Sequence, residues 1–296
     1  MKLSIHNVQK TYANGVKALN RVNLEIAPGM FGLLGPNGAG KSSLMRTLAG
    51  LQEADLGQVT LGEIDVLNDK TALRQQIGYL PQSFGLYPKV SAEMLLDHFA
   101  ALKGISDRKA RKNLVNELLD KMNLESHRKK HLGGFSGGMK QRFGIAQALI
   151  GNPALLIVDE PTAGLDPAER NRFHNVLSEV GEQTIVMLST HIVEDVKDLC
   201  TQMAILSGGE IKLKGAPTAL VAALNDQVWE KAFDKVEVAL EKQKHQVISE
   251  KIFSGQTLLR VLSQVKPAEG FEAVTPNLED VYFSQLGLNT SKTQPS

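Results

Sequence analysis

Residues 35–42 read GPNGAGKS: a glycine, four variable residues, then Gly-Lys-Ser. In such a loop the glycines let backbone N–H groups turn inward around a chain of phosphates. Lys41 can place its ammonium against the outer phosphates, and Ser42 can offer its hydroxyl to the magnesium ion that they carry. The apolar residues 30–34 predict a buried strand before the loop, and residues 43–48 predict a helix whose positive end favours an anion. We therefore expect a nucleotide site formed by Gly35, Pro36, Asn37, Gly38, Ala39, Gly40, Lys41, Ser42 and Ser43.

The composition limits the class of protein. The chain has 296 residues, with 33 basic and 32 acidic side chains and a formal net charge of +1. This charge provides no general field that would attract nucleic acid. The only cysteine, Cys200, cannot form an intrachain disulfide and is interpreted as a buried apolar residue in a reducing compartment. No signal-peptide pattern and no run of about 20 apolar residues is found, so we expect a soluble protein.

Hydrophobic patterns predict the fold class. Residues 3–9 and 17–26 alternate around the turn signal Asn14-Gly15, which predicts an antiparallel sheet that residues 57–66 extend. The apolar runs 154–158 and 184–188 are typical of parallel strands that are buried on both faces. The predicted fold is α/β: a P-loop NTPase core with a parallel sheet, an N-terminal antiparallel β-subdomain, a helical insertion subdomain and a small C-terminal accessory region.

Two domains are expected, at residues 1–216 and 217–296. Helical periodicity over about 83–135 predicts the insertion, with Asp107 as a helix N-cap and with one apolar face formed by Leu114, Leu118, Leu119 and Met122. In the accessory region we expect a helix from Pro217, a hairpin at Ser254-Gly255 and a late helix with an apolar stripe. The polar tail 289–296 is expected to be disordered.

Two adjacent acids, Asp159 and Glu160, follow the predicted strand 154–158. α/β proteins bind their ligands at this edge of a parallel sheet. Asp159 can hold magnesium, directly or through a water molecule, and Glu160 can orient and deprotonate an attacking water. The alternative is an acid pair that only caps the next turn, which the upstream phosphate loop disfavours.

A second glycine-rich segment, Ser136-Gly137-Gly138, leads directly into a helix with an apolar face. A serine and two glycines at a helix N-terminus can form another phosphate site. An ordinary N-cap is the alternative, although each glycine weakens a helix start by about 1 kcal/mol unless close backbone approach is needed. Two phosphate sites in one chain predict that two chains share their nucleotides.

The order of these motifs resembles the ATPase subunits of ATP-binding-cassette (ABC) transporters over residues 1 to about 216. Besides the segments above, the resemblance rests on Tyr12, Gln82, Gly164-Leu165-Asp166 and His191. It implies ATP and Mg²⁺ as cofactors, with Ser42, Gln82 and Asp159 holding the metal. The residues that it implies in catalysis are Glu160, His191, Lys41 and Gln82.

The same resemblance implies further contacts and partners. Tyr12 would stack on adenine, Ser136 and Gly138 with Gly137 would clamp the γ-phosphate held by the opposite subunit, and Asp166 would link the two sites. The implied partners are a separate multi-span membrane permease and a second copy of the chain or a paralogous ATPase subunit, at the cytoplasmic face of the membrane. Phe135, Met139 and the segment 277–283 are similar to export ATPases related to drug-resistance transporters, so export is expected over import.

Other functions have weaker support. The basic segment 127–131 lacks interleaved aromatic residues and is typical of a solvated loop, so no nucleic-acid partner is expected. Soluble cassette proteins that act as mechanical switches on ribosomes or DNA usually carry two cassettes or a long coiled-coil insertion, and this chain has neither. A phosphotransferase kinase would leave residues 136–138 and His191 unexplained.

Overall fold

The computed structural model describes residues 1–162, 165–253 and 255–286. The chain divides into two compact units, Met1–Ile211 and Lys212–Ser296. The predictions for Gly164, for the turn residue Ser254 and for the tail 289–296 lie outside the described residues. Within the described ranges, no helix is long and apolar enough to cross a membrane.

The first unit contains both strands and helices. In chain order its elements are β1 (Leu3–Thr11), β2 (Lys17–Ile26), β3 (Gly29–Leu34), α1 (Lys41–Leu48), β4 (Leu56–Leu61), β5 (Ile64–Asp65), α2 (Lys70–Gln76), β6 (Ile77–Leu80), α3 (Ala92–Leu102), α4 (Arg108–Lys121), α5 (Gly137–Ala148), β7 (Leu155–Asp159), α6 (Pro167–Gly181), β8 (Ile185–Thr190), α7 (Val193–Leu199) and β9 (Gln202–Ser207), with β10 (Glu210–Gly215) at the boundary. Two short 3₁₀ turns, Glu125–His127 and Leu132–Gly134, precede α5.

The central sheet has the strand order β10-β9-β3-β8-β7-β6. The pairs β9/β3, β3/β8, β8/β7 and β7/β6 are parallel. Every residue of β7 and β8 is buried, because helices cover both faces of such a sheet. Between β9 and β10, Gly208 and Gly209 have φ angles of 58° and 79°, the left-handed conformation that a tight hairpin turn requires.

A second, antiparallel sheet has the order β2-β1-β4-β5. Alternate residues of β1 (Leu3 and Ile5) are fully buried and join one hydrophobic core with Leu44 of α1 and Ile157 of β7. Burying each such side chain stabilises the fold by about 1.5–3 kcal/mol. This shared core joins α1, and with it the loop 35–40, to both sheets.

The helical insertion differs in detail from the prediction. Its helices begin only at Ala92, after a segment 83–91 that is not helical and that contains Gly85 and Pro88, residues that disfavour a helix. Asp107 caps α4 as expected, accepting a hydrogen bond from the Ala110 N–H at 2.6 Å. The buried face of α4 carries Val115 in place of the expected Leu114, which is only half-buried.

The second unit has its own small core. Its elements are α8 (Pro217–Ala222), β11 (Val228–Phe233), α9 (Lys235–Lys244), β12 (Val247–Phe253), β13 (Gln256–Leu262), β14 (Glu272–Ala273) and α10 (Leu278–Leu286). The strands form an antiparallel sheet in the order β12-β13-β11-β14. Apolar side chains of the sheet, of α9 and of a following loop form the core: Phe233, Val238, Val247, Leu259, Val261 and Phe271.

Candidate nucleotide-binding site

Four neighbouring parallel strands end at one edge of the central sheet. The register pairs Leu34 of β3 with Thr190 of β8, and Asp159 of β7 with Ser189 of β8. Because β6 pairs with β7 on its far side, its end lies in the same row. The segments that follow these strands therefore meet at this edge: the loop 35–40, His191, Glu160 and Gln82.

The loop between β3 and α1 has no room for a side chain at two of its glycines. A Cβ atom on Gly35 would lie 2.4 Å from the carbonyl oxygen of Leu206, and one on Gly40 would lie 2.2 Å from that of Ala18. Gly38 has a φ angle of 78° and nothing within 4 Å of the position of a Cβ atom. The chain's own packing thus requires two of the glycines, and the third stands open beside the cavity described below.

Lys41, the first residue of α1, is buried under this loop, with 5% of its surface exposed. Its Nζ donates to the carbonyl oxygens of Gly35 at 2.7 Å and Pro36 at 3.2 Å. Burial lowers the pKa of Lys41, against the opposing effect of the Glu160 and Asp159 carboxylates. The ammonium rests on neutral carbonyl groups, so phosphate oxygens, which form stronger charge-assisted hydrogen bonds, can replace them.

Glu160 brings the other predicted catalytic residues together. Its φ angle of 47° is unusual for a residue other than glycine, and its N–H donates to the carbonyl oxygen of Ser189 at 2.9 Å. Gln82 Nε2 donates to Glu160 Oε2 at 3.3 Å, and His191 Nδ1 lies 3.1 Å from the same oxygen. Lys41 Nζ lies 3.6 Å from Glu160 Oε1. The carboxylate is therefore approached by three nitrogen atoms from three different segments.

A cavity of about 630 Å³ opens at this edge. Tyr12 forms one side, and its hydroxyl lies 2.9 Å from Ser43 Oγ and donates to Gln52 Oε1 at 2.9 Å. Asp159 does not line the cavity: it is buried at the end of β7 and accepts a hydrogen bond from Ser189 Oγ. The lining residues are Tyr12, Val16, Ala18, Pro36, Asn37, Gly38, Ala39, Gly40, Lys41, Ser42, Ser43, Gln82, Glu160 and His191.

The remaining predicted residues, Ser136, Gly137, Gly138 and Asp166, do not line this cavity. Ser136 caps α5 by accepting from the Met139 N–H at 3.2 Å, and Asp166 caps α6 by accepting from the Glu169 N–H at 2.8 Å. Both Ser136 and Asp166 are exposed. These two helix starts thus lie outside the cavity that Lys41 lines, and their capping side chains are exposed.

The spacing of the motifs did not reveal three supporting residues. Ser189 holds Asp159, Gln52 fixes the Tyr12 hydroxyl, and Arg142 lies under the start of α5, where its Nη1 donates to the carbonyl oxygen of Met122 at 2.8 Å. Each acts through a contact between segments that are distant in sequence, so no local pattern predicts it. Among these three residues, only Arg142 carried a signal in the sequence, as a basic residue on the apolar face of α5.

A glycine-rich loop between a parallel strand and a helix, with a buried lysine and a facing carboxylate, defines a P-loop nucleotide-binding protein. Residues 19–163 match the family described as ABC transporter. The uncharacterized ABC transporter ATP-binding protein YxlF of Bacillus subtilis is 34% identical over 296 residues, which cover 95% of this chain and 98% of the relative. The Nod factor export ATP-binding protein I of Rhizobium etli is 32% identical over 302 residues, covering 98% and 95%. The chain belongs to the ABC transporter ATP-binding proteins.

Solved structures confirm the predicted fold class. A dimeric post-hydrolysis state of the ATP-binding cassette MJ0796, bound to ADP and phosphate, superposes with a TM-score of 0.65 at 27% identity, covering 72% of this chain and 98% of that chain. The prediction of an ATP-binding and ATP-hydrolysing transporter subunit is also confirmed. The role of each site residue remains a prediction.

Proposed function

We propose that this chain is one of two ATPase subunits that clamp two ATP molecules between them and drive a separate membrane permease that exports its substrate. The observation that carries this proposal is the division of the predicted residues: the loop 35–40, Lys41, Glu160 and His191 share one cavity, and residues 136–138 lie outside it. The export named for the Rhizobium relative supports the direction of transport. In this arrangement the chain sits on the cytoplasmic face of the membrane through its permease.

The donor atoms near the loop suit ATP with Mg²⁺. Ser42, Gln82 and Asp159 offer hydroxyl, amide and carboxylate oxygens, the hard ligands that Mg²⁺ prefers. Asp159 would act on the ion directly or through a water molecule. The ion would neutralise negative charge on the phosphates. Tyr12, exposed at the rim of the cavity, offers a flat aromatic face for adenine.

The chain's own residues then account for hydrolysis. Glu160 accepts a proton from a water molecule as its oxygen attacks the γ-phosphorus, and the bond to the ADP oxygen breaks. His191 donates a hydrogen bond to a γ-phosphate oxygen, and the Lys41 ammonium follows the charge that moves towards ADP. Glu160 also contacts Gln82 and His191, which groups three of the residues proposed to act in hydrolysis.

The start of α5 is assigned to the other subunit's nucleotide. Gly137 is exposed, with nothing within 4 Å of the position of a Cβ atom, so its backbone can be approached closely from outside. With the Ser136 hydroxyl and the helix N-terminus, it offers hydrogen-bond donors and positive potential to a phosphate. A second copy of the chain, or a paralogous subunit, would supply that phosphate.

Glu160→Gln tests the proposal. The amide fills the same space but cannot accept the proton, so ATP binding should persist while turnover falls by at least about a hundredfold. With ATP and Mg²⁺ the variant should accumulate as a closed dimer in light scattering. Glu182→Gln, at an exposed position, is the matched control and should be fully active. A fully active Glu160→Gln would exclude Glu160 as the base, and a variant that never closes, alone or with a permease, would exclude the shared site.

A mixing experiment tests whether the site is shared between chains. Ser136→Arg should bind ATP normally but fail to turn it over, and Lys41→Ala should bind ATP much more weakly. When the two variants are mixed, one interface pairs an intact loop with an intact Ser136, while the other carries both defects. Recovery of ATP-dependent closure in the mixture supports sharing. Loss of ATP binding by Ser136→Arg monomers would place residue 136 in its own chain's site and contradict the proposal.

A further inference from the structure

A buried carboxylate outside the cavity has no part in the chemistry above. Asp195, in the first turn of α7, has 0% of its surface exposed. Its Oδ2 accepts from Thr162 Oγ1 at 2.6 Å and from Thr190 Oγ1 at 3.3 Å. Its Oδ1 accepts from Arg170 Nε at 2.8 Å and lies 2.9 Å from His174 Nε2. Both carboxylate oxygens are therefore fully used by partners from three other segments.

Two of these partners border the proposed catalytic residues. Thr162 lies two positions after Glu160, and Thr190 directly precedes His191. The Thr190 hydroxyl also accepts from the Ile192 N–H at 2.9 Å, which ties it to the turn that carries His191. Arg170 and His174 lie one turn apart on α6, the helix that Asp166 caps. One carboxylate thus joins the segment after β7, the end of β8 and α6.

The packing of α7 does not explain a carboxylate at position 195, whereas its hydrogen bonds do. Val193, Val196 and Leu199 are the other buried residues of α7, so an apolar side chain at 195 would fit the pattern of the helix without the cost of burying a charge. Burial acts to raise the pKa of Asp195, but the hydrogen bonds from His174 and Thr162 and the Arg170 guanidinium outweigh it and hold the pKa below its ordinary value. Only an ionised carboxylate can accept from four donors at once.

We propose that Asp195 is a positioning residue that fixes Glu160 relative to His191 for hydrolysis without touching the nucleotide. The inference rests on the proposed function, because it takes the roles of Glu160 and His191 from it. Glu160 follows β7 and His191 follows β8. The segment after β7, through Thr162, and the end of β8, through Thr190, are both hydrogen-bonded to Asp195. Misplacing a catalytic group by about 1 Å can lower a rate by about a hundredfold, so such a constraint affects turnover more than binding.

Asp195→Asn is the first test. The amide nitrogen must face two of the four donors, so at least part of the cluster is lost. We expect kcat to fall by about tenfold to a hundredfold while the affinity for ATP changes by less than about threefold. Asp198→Asn, at an exposed position of the same helix, is the matched control and should be unchanged. An unchanged kcat, or an ATP affinity that weakens as much as kcat falls, would overturn the positioning role.

Isosteric threonine variants keep the test decisive if Asp195→Asn fails to fold. Thr162→Val removes one hydrogen bond to Asp195, and Thr190→Val removes one to Asp195 together with the one from the Ile192 N–H; both keep the side-chain volume. Each should lower kcat by up to about tenfold, and the double variant should fall no further than Asp195→Asn, because the changes act through one cluster. In a His191→Ala background, Asp195→Asn should lower kcat by a smaller factor than in the parent chain. Full activity in both threonine variants would overturn the inference.

The Glu160→Gln variant, measured alongside, separates the two hypotheses. If Glu160→Gln is active, the proposed function has lost its base and the inference falls with it. If Glu160→Gln is inactive but the Asp195, Thr162 and Thr190 variants all turn over ATP normally, only the positioning role is wrong. Unfolding temperatures of all variants, measured in the same buffer, show whether a loss of kcat merely follows a loss of stability.

Discussion

At the scale of single residues, polar contacts hold the charged side chains of the site. Lys41 rests on two backbone carbonyl oxygens, and Glu160 rests between Gln82 and His191. Among Lys41, Glu160, Gln82 and His191, only Lys41 is a buried basic side chain. Its removal therefore affects nucleotide binding directly.

Lys41→Ala should weaken ATP binding by at least about tenfold, because a hydrogen bond to a charged group contributes about 1.5–3 kcal/mol. Turnover should be lost with it. Titration with a fluorescent ATP analogue measures the affinity, and a phosphate-release assay measures turnover. Lys140→Ala, which removes an exposed lysine, is the control. Unchanged affinity and turnover in Lys41→Ala would contradict the assignment of the loop.

At the scale of elements, the two glycines that open α5 have different surroundings. A Cβ atom on Gly138 would lie 2.2 Å from Glu169 Oε2, and the Glu169 carboxylate lies near Arg142 Nη2 at 3.5 Å and Arg172 Nη1 at 3.1 Å. A methyl group at position 138 would therefore have to displace the Glu169 side chain of α6 in the same chain. Gly137 meets no such neighbour.

Gly138→Ala should therefore destabilise the fold by about 1–3 kcal/mol, as inserting a methyl group into a packed site does. Gly137→Ala should leave stability unchanged or raise it by up to about 1 kcal/mol, because alanine favours a helix. Urea unfolding of the two variants measures the difference. If Gly137 faces the partner's nucleotide, its alanine variant should still lose turnover. Equal stabilities for the two variants would contradict the packing assigned to Gly138.

At the scale of the whole molecule, the two units have separate hydrophobic cores. All residues that line the candidate nucleotide cavity belong to the first unit. The second unit is built around Phe233, Leu259 and Phe271, and its function stays a prediction: we expect it to stabilise the dimer or to regulate the permease complex.

A chain truncated after Gly215 should still bind ATP with an affinity within about threefold of the full chain, because every cavity residue is retained. It should lose self-association or coupling to transport. Isothermal titration and light scattering measure the first two properties, and a transport assay with the permease measures the third. A well-folded truncation that cannot bind ATP, or one that assembles and transports normally, would contradict the accessory role of residues 217–296.

Sequence patterns predict most of the elements around the site. The strand, glycine loop and helix at 30–48, the buried strands β7 and β8 and the caps of α4 and α6 all follow from local sterics and from the apolar pattern of neighbouring residues. The helices of the insertion begin at Ala92 and not at residue 83, because Gly85 and Pro88 disfavour a helix in the segment between. Leu114 is only half-buried because the buried face of a helix depends on the elements that pack against it.

Which side chains meet at the site depends on how the whole chain packs. Glu160 contacts Gln82, His191 and Lys41 because strands that are distant in sequence lie side by side in the order β3-β8-β7-β6. The neighbour of Gly138 and the cluster around Asp195 arise in the same way, from helices and strands that pack across the chain. Local patterns depend on residues a few positions apart, whereas these contacts depend on strand order and helix packing, which no local pattern records.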